Sequence, residues 1–130
     1  GVENRTAAIR VIPGGASSQR VECRVGGADG NPYLVAAAVL GAALAGIREQ
    51  LEPEQPVQGN AYDLQDDLPE RHKFATSLAE SSDKMHQSAM ARTILGDEFV
   101  EHFVMTRRWE VQEYQRNLNS WQLQRYFEII

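Results

Sequence analysis

Two short segments with the alternating pattern of β-strands open the chain, at residues 7–13 (AAIRVIP) and 19–25 (QRVECRV). The turn-forming sequence GGASS separates them, so they predict either an antiparallel hairpin or two members of a wider sheet. Two strands are too few for an independent sheet. We therefore expect the missing strands to lie upstream, and the chain to begin inside a larger fold.

A long apolar helix is predicted next, over about residues 31–50. Asn31 is a suitable N-cap, and Pro32 suits the first helical position because its missing N–H has no partner there anyway. The helix is apolar on nearly every side, which predicts that it is buried. Residues 52–70 are rich in Pro, Gln and Asp without periodicity and predict an extended surface loop.

The rest of the chain, residues 74–128, predicts helices. Strands followed by helices indicate an α+β fold. One helix carries an apolar face formed by Phe99, Val100, Phe103, Val104 and Val111. The predicted helices are one over about 74–95 with a break, one from a cap at Asp97 to about 118, and a short one starting near 119 or 120.

Composition excludes several classes of protein. The formal net charge of −5 argues against binding to nucleic acid or to a membrane surface. The longest apolar stretch, residues 33–47, is shorter than the roughly 20 residues of a membrane span. The single cysteine, Cys23, excludes an internal disulfide, and its place on the apolar face of a strand predicts an inert thiol. We expect a cytoplasmic protein.

The first 24 residues are locally basic within an acidic chain, with four arginines, two glutamates and no lysine. Strand alternation places Arg20, Glu22 and Arg24 on one face, about 6.6 Å apart. A carboxylate there could ligate a hard divalent cation while the guanidinium groups hold phosphate or carboxylate. The alternative is an ordinary solvated strand face. The arginines of this segment are Arg5, Arg10, Arg20 and Arg24.

Three motifs resemble the glutamine synthetase family in order and spacing: NRTAAIR at residues 4–10, RVECR at 20–24 and NPYL at 31–34. The resemblance spans nearly the whole chain. It implies that residues 1–130 are the C-terminal portion of the catalytic domain, without the N-terminal domain and the first part of the catalytic domain. The looser matches in the tail are Gly59-x-Ala61-Tyr62, Leu68-Pro69, Leu95-Gly96, Phe99-Val100 and Trp121.

The resemblance implies an ATP-dependent ligase of glutamine biosynthesis and nitrogen metabolism. ATP phosphorylates the γ-carboxylate of glutamate with Mg²⁺ or Mn²⁺, and ammonia or an amine then attacks the acyl phosphate. Such enzymes form homo-oligomeric rings, often dodecamers. The NRTA motif followed by AAIRV is closer to relatives that make γ-glutamylamides from amines or polyamines.

The resemblance also implies roles for individual residues. Glu22 matches a metal ligand, and Arg24 matches the arginine that grips the glutamate substrate. Arg5 matches a catalytic arginine that contacts the transferred phosphate. Arg10 and Arg20 match arginines that line the nucleotide and phosphate region.

Several features of the family are missing from this sequence. The other metal-binding glutamates, the metal-binding histidine and the flap glutamate lie upstream of the NRTA motif, so the isolated chain is expected to be inactive and to self-associate. Tyr62 matches a tyrosine that some bacterial members adenylylate.

Two alternative functions remain. One is a non-catalytic scaffold of the same family, but the retained arginines and Glu22 argue against it. The other is a guanidino-phosphotransferase, but the NRTA and NPYL motifs are not the signature of that family.

Overall fold

A computed structural model describes residues 1–129, and the chain divides into two compact units, Gly1–Lys73 and Phe74–Ile130. The first unit contains a β-hairpin, one long helix and a loop, and the second is helical. This order of elements confirms the predicted α+β class. Each unit is described below by itself.

The two predicted strands pair as an antiparallel hairpin formed by β1 (Ile9–Ile12) and β2 (Arg20–Cys23). Ile12 is the buried hydrophobic residue of the hairpin, with 8% of its surface exposed. The opposite, apolar side lies open, and the free cysteine of β2 is exposed there instead of packed. Val2 adds an isolated parallel bridge to β1.

The long helix α1 (Pro32–Arg48) begins as its sequence predicts. The Asn31 side chain accepts hydrogen bonds from the backbone N–H groups of Tyr33 and Leu34, at 3.0 and 3.3 Å. The prediction that this helix is buried is wrong, since none of its residues is buried and Ile47 is 73% exposed. The first unit contains only two four-residue strands and a loop, which offer too little apolar surface to cover a 17-residue helix.

The predicted loop after α1 is confirmed, and ion pairs connect residues near its two ends. No helix or strand forms between residues 49 and 69, and a single 3-10 turn follows at Glu70–His72. Arg71 donates through Nε and Nη2 to both carboxylate oxygens of Glu54, at 3.0 and 2.9 Å, and His72 Nε2 lies 3.0 Å from the same carboxylate. The hydrogen bond from Arg71 lowers the pKa of Glu54 below its ordinary value.

The second unit has its predicted break in the first helical stretch. Helix α2 (Leu78–Gln87) begins four residues later than predicted, because the Ser77 hydroxyl caps it by accepting from the Glu80 N–H at 3.1 Å. The break lies at Ser88, whose hydroxyl caps α3 (Ala89–Leu95) by accepting from Ala91.

The predicted cap at Asp97 is wrong. Gly96 occupies the cap position before α4 (Asp97–Arg116), with a backbone φ of 85° that favours glycine. Asp97 lies in the first turn and pairs with Arg92 at 2.8 Å. The last helix, α5 (Ser120–Tyr126), starts where predicted, with a capping box between Asn119 and Gln122.

The core of the second unit forms on α4, where α2 and α3 pack against it. Val100 and Val104 are 0% and 1% exposed, and the rings of Phe99 and Phe103 stack with their centroids 5.6 Å apart. Both valines belong to the apolar face that the sequence predicts. Among the described helices of either unit, none is both long and apolar enough to cross a membrane.

An ion-pair cluster joins the helices of the second unit. Arg92 donates to Glu101 at 2.6 Å and to the backbone carbonyl of His86 at 2.8 Å, in addition to its pair with Asp97. The hydrogen bond from Arg92 is the main reason that the pKa of Glu101 lies below its ordinary value of 4.5. A carboxylate with a lowered pKa stabilises the folded state above its unfolded-state pKa, and that contribution is lost as the pH falls through the folded-state pKa.

We expect Glu101→Gln to lower the thermal midpoint of the chain at about pH 7, because the amide loses the charged pair with Arg92. At about pH 3 the difference in thermal midpoint between wild type and variant should be smaller, because the wild-type carboxylate is then becoming protonated and loses its charge. Thermal unfolding followed by circular dichroism at both pH values measures the two midpoints. Glu110→Gln, at an exposed position of the same helix, is the control. A difference in thermal midpoint that is the same at both pH values would contradict the stabilising role of the Glu101–Arg92 pair.

Candidate functional site

Glu22 lies at the centre of a charged cluster on one face of the hairpin. The strand register places Arg10 directly opposite Glu22, and Arg10 Nη1 donates to Glu22 Oε2 at 3.2 Å. Arg20 Nη2 lies 3.6 Å from Glu22 Oε1, and Arg24 Nη1 lies 3.9 Å from Glu22 Oε2. The structure therefore brings four of the predicted site residues together, with three arginines around the Glu22 carboxylate.

Arg10 is the anchor of this cluster. Its side chain is only 12% exposed, and its Nη2 donates to the Glu3 carboxylate at 2.6 Å while Nη1 holds Glu22. The hydrogen bond to Glu3 is the largest cause of a raised Arg10 pKa, and the pair with Glu22 adds to it. Arg10 thus restrains Glu22 from the β1 side.

Arg20 and Arg24 are the accessible arginines of the cluster. Their side chains are 58% and 40% exposed, and their pairs with Glu22 are longer than the pair made by Arg10. Planar guanidinium groups in this position can bind phosphate or carboxylate oxygens. An ordinary solvated strand face explains the arrangement less well, because Arg10 is largely withdrawn from solvent and Glu22 is half-buried.

Arg5 lies outside this cluster, in a tight turn. The Asn4 side-chain oxygen accepts from the backbone N–H of Thr6 at 2.9 Å and from its hydroxyl at 2.6 Å, which forms an Asx turn with Arg5 at its centre. The Arg5 residue is exposed. Within residues 1–129 it forms no ion pair, so contacts of the described chain do not join it to the Glu22 cluster.

The same turn is attached to the loop that follows α1. The Asn4 side-chain amide donates to the backbone carbonyls of Val57 and Gly59, at 3.3 and 2.8 Å, and the Ala61 N–H donates to the Thr6 hydroxyl at 2.9 Å. Sequence reasoning missed Asn4 and Thr6 as contributors to the site. An Asn followed two residues later by a hydroxyl side chain is a recognisable Asx-turn signal, but nothing in it names a partner more than 50 residues away.

Tyr62 comes directly after this attachment. Its N–H donates to the Asn60 side-chain oxygen at 3.2 Å, and the residue is 68% exposed. The Tyr62 hydroxyl therefore lies on a loop whose preceding residue, Ala61, is hydrogen-bonded to the Arg5 turn.

As a candidate metal centre, the cluster offers a single central carboxylate. No group of three or more His, Cys, Asp or Glu side chains that could hold an ion occurs in the part of the chain that the structure describes. Glu22 fits the role of one oxygen ligand, and the neighbouring arginines fit the anionic groups that accompany Mg²⁺ in phosphate sites. The remaining ligands of such a centre would have to come from outside these residues.

Comparisons with known proteins agree with one another. A family model described as the catalytic domain of glutamine synthetase matches residues 1–126. The chain is 47% identical to a type-1 glutamine synthetase 2 of Dictyostelium discoideum and 43% identical to a glutamate–isopropylamine ligase of a Pseudomonas species, over its whole length. It is 37% identical over 98% of its length to a gamma-glutamylethanolamide synthetase of Streptomyces coelicolor. It covers 25%, 28% and 26% of these relatives, or about a quarter of their length.

Proposed function

Because the chain belongs to the glutamine synthetase catalytic-domain family, a family of glutamate–ammonia and glutamate–amine ligases, we propose that it is the C-terminal portion of such a catalytic domain. The complete protein would phosphorylate the γ-carboxylate of glutamate with ATP and transfer the γ-glutamyl group to ammonia or an amine. The observation that carries the proposal is the Glu22 carboxylate surrounded by three guanidinium groups. Phosphoryl transfer depends mainly on positioning and on charge neutralisation, which this cluster can supply.

Each predicted site residue has a role in this proposal. Glu22 ligates a divalent ion, Mg²⁺ or Mn²⁺, which when bound neutralises phosphate charge. Arg24, which remains 40% exposed, binds the carboxylate of glutamate. Arg10 and Arg20 line the nucleotide phosphates, with Arg10 also fixing the direction of Glu22. Arg5 contacts the transferred phosphate as the catalytic arginine, presented by its turn.

The acceptor is proposed to be an amine. Two of the similar proteins are named for isopropylamine and ethanolamide chemistry, which agrees with the resemblance of the NRTA and AAIRV motifs to γ-glutamylamide synthetases. The complete protein would act in the cytoplasm as a ring-shaped homo-oligomer, which in this family is often a dodecamer. The exposed Tyr62 is its candidate regulatory residue.

The test is an activity assay on the protein encoded by the complete reading frame. We expect ADP and phosphate to form only when glutamate, a divalent ion and an acceptor are all present, and an amine panel with ammonia as comparison identifies the acceptor. The 130-residue chain should show no turnover, since it supplies one carboxylate to the metal centre. A complete protein without ATP-dependent ligation would contradict the proposal and favour a scaffold role.

A further inference from the structure

We propose that Asn4 and Thr6 are positioning residues for Arg5, because together they clamp the Arg5 turn onto the loop at residues 57–61. This clamp is defined by the Asn4 and Thr6 side chains and their partners Val57, Gly59 and Ala61. The inference rests on the proposed function in one respect only, namely that Arg5 acts on the transferred phosphate.

The hydrogen bonds of the clamp form one continuous chain. The Ala61 N–H donates to the Thr6 hydroxyl, and that hydroxyl donates to the Asn4 side-chain oxygen at 2.6 Å. On the other side of the same amide, both N–H groups of Asn4 are directed at loop carbonyls. Every polar group of the two side chains therefore has a protein partner, and a substitution that removes the Thr6 hydroxyl or the Asn4 amide leaves at least one of these partners unpaired.

Burial strengthens this arrangement. Asn4 and Thr6 are half-buried, whereas Arg5 between them is exposed. The bonds from Asn4 to Val57 and from Ala61 to Thr6 are partly shielded from water, which strengthens them, whereas the bond from Asn4 to Gly59 is exposed. The turn is thus fixed at both flanks, and only the side chain of its central residue extends into solvent.

The loop itself is held in a shape that suits the clamp. Gly59 has a φ of 75°, in the region that favours glycine, which allows its carbonyl and the Ala61 N–H to face the turn together. The Glu54–Arg71 pair closes the loop at its ends. The Arg5 turn is consequently bonded to a loop whose ends are held together by the Glu54–Arg71 pair.

Positioning by the clamp predicts a specific kinetic defect in the complete protein. Thr6→Val keeps the shape of the side chain but removes the hydroxyl, so kcat should fall about ten- to a hundredfold, as expected for a slightly misplaced catalytic group. The KM for glutamate should change little, because Arg24 and not Arg5 is assigned to glutamate binding. Thr6→Ser retains the hydroxyl and should recover most of the activity.

A double-mutant cycle identifies Arg5 as the residue through which Thr6 acts. Arg5→Lys and Thr6→Val should each lower kcat, and the double variant should be scarcely worse than Arg5→Lys alone. Thr93→Val is the matched control, since the exposed Thr93 hydroxyl bonds, within residues 1–129, only to the carbonyl of Ala89 in its own helix. Effects of Thr6→Val and Arg5→Lys that simply multiply would overturn the positioning role.

Hydrogen exchange tests the clamp without an activity assay. In the complete protein, a peptide covering residues 57–63 should exchange faster in Thr6→Val than in wild type, because the Ala61 N–H loses its acceptor. Thr6→Ser and Thr93→Val should exchange like wild type. Unchanged exchange in Thr6→Val would overturn the clamp, whereas changed exchange in a protein without ligase activity would leave the clamp intact and refute the proposed function instead.

Discussion

Replacing Glu22 by Gln in the complete protein should reduce ligase turnover by about 10²- to 10³-fold, the range seen when one preorganised electrostatic contact is removed from an active site. Gln has nearly the same shape but no charge, so it is a poor ligand for a divalent ion. It also leaves Arg10, Arg20 and Arg24 without their common counter-charge. Steady-state rates measured over a range of Mg²⁺ concentrations should show both a lower maximum and a higher metal requirement.

The control for this change is Glu52→Gln, the same chemical substitution at an exposed position of the loop after α1. Glu52 has no ion-pair partner in residues 1–129, and its replacement should leave turnover within about twofold of wild type. Wild-type turnover and metal dependence in Glu22→Gln would remove Glu22 from the metal site and with it the main support for the assigned chemistry.

The largest effect on folding is expected from Val104→Asp. Val104 is 1% exposed in the core of the helical unit, so an aspartate there would be cut off from the water that solvates an ionised carboxylate. Burial of an unpaired charge should cost about 4 kcal/mol or more, against a total stability of about 5–15 kcal/mol for a typical domain. Circular dichroism of the chain should show loss of helical signal or a strongly lowered thermal midpoint.

The adjacent position supplies the control. Met105 lies on α4 next to Val104 but is 61% exposed, so Met105→Asp introduces the same carboxylate into solvent. Its effect should stay within about 0.5 kcal/mol. Similar melting of both variants would mean that this face of α4 is not the core of the unit.

The local features of the fold could be predicted from the sequence because neighbouring residues determine them. Strand alternation predicts that Glu22 shares a face with its two flanking arginines, and the ion pairs of the hairpin lie on that one face. The antiparallel hairpin is one of the two predicted arrangements of the strands. The cap at Asn31 also needs only the next three residues. Asp97 shows the limit of such reasoning, because its carboxylate pairs with Arg92 while the preceding glycine takes the cap position.

Contacts between distant parts of the chain could not be predicted. The register that places Arg10 opposite Glu22 is set by the length of the turn, which no periodicity reveals. The attachment of Asn4 and Thr6 to residues 57–61 depends on how the loop closes. The expected burial of α1 failed for a related reason, since periodicity reports how apolar a helix is and not whether its partners are present.

The crowding of guanidinium groups around one carboxylate has a consequence for the order of ligand entry. Three arginines already surround Glu22, so a bare divalent cation that approaches it meets a surplus of positive charge and is repelled. A cation that arrives together with polyphosphate brings the compensating negative charge, which Arg20 and Arg24 can take up as they release the carboxylate. In the proposed enzyme, electroneutrality would therefore couple the two ligands, and the hairpin would bind a metal–nucleotide complex in preference to a bare cation.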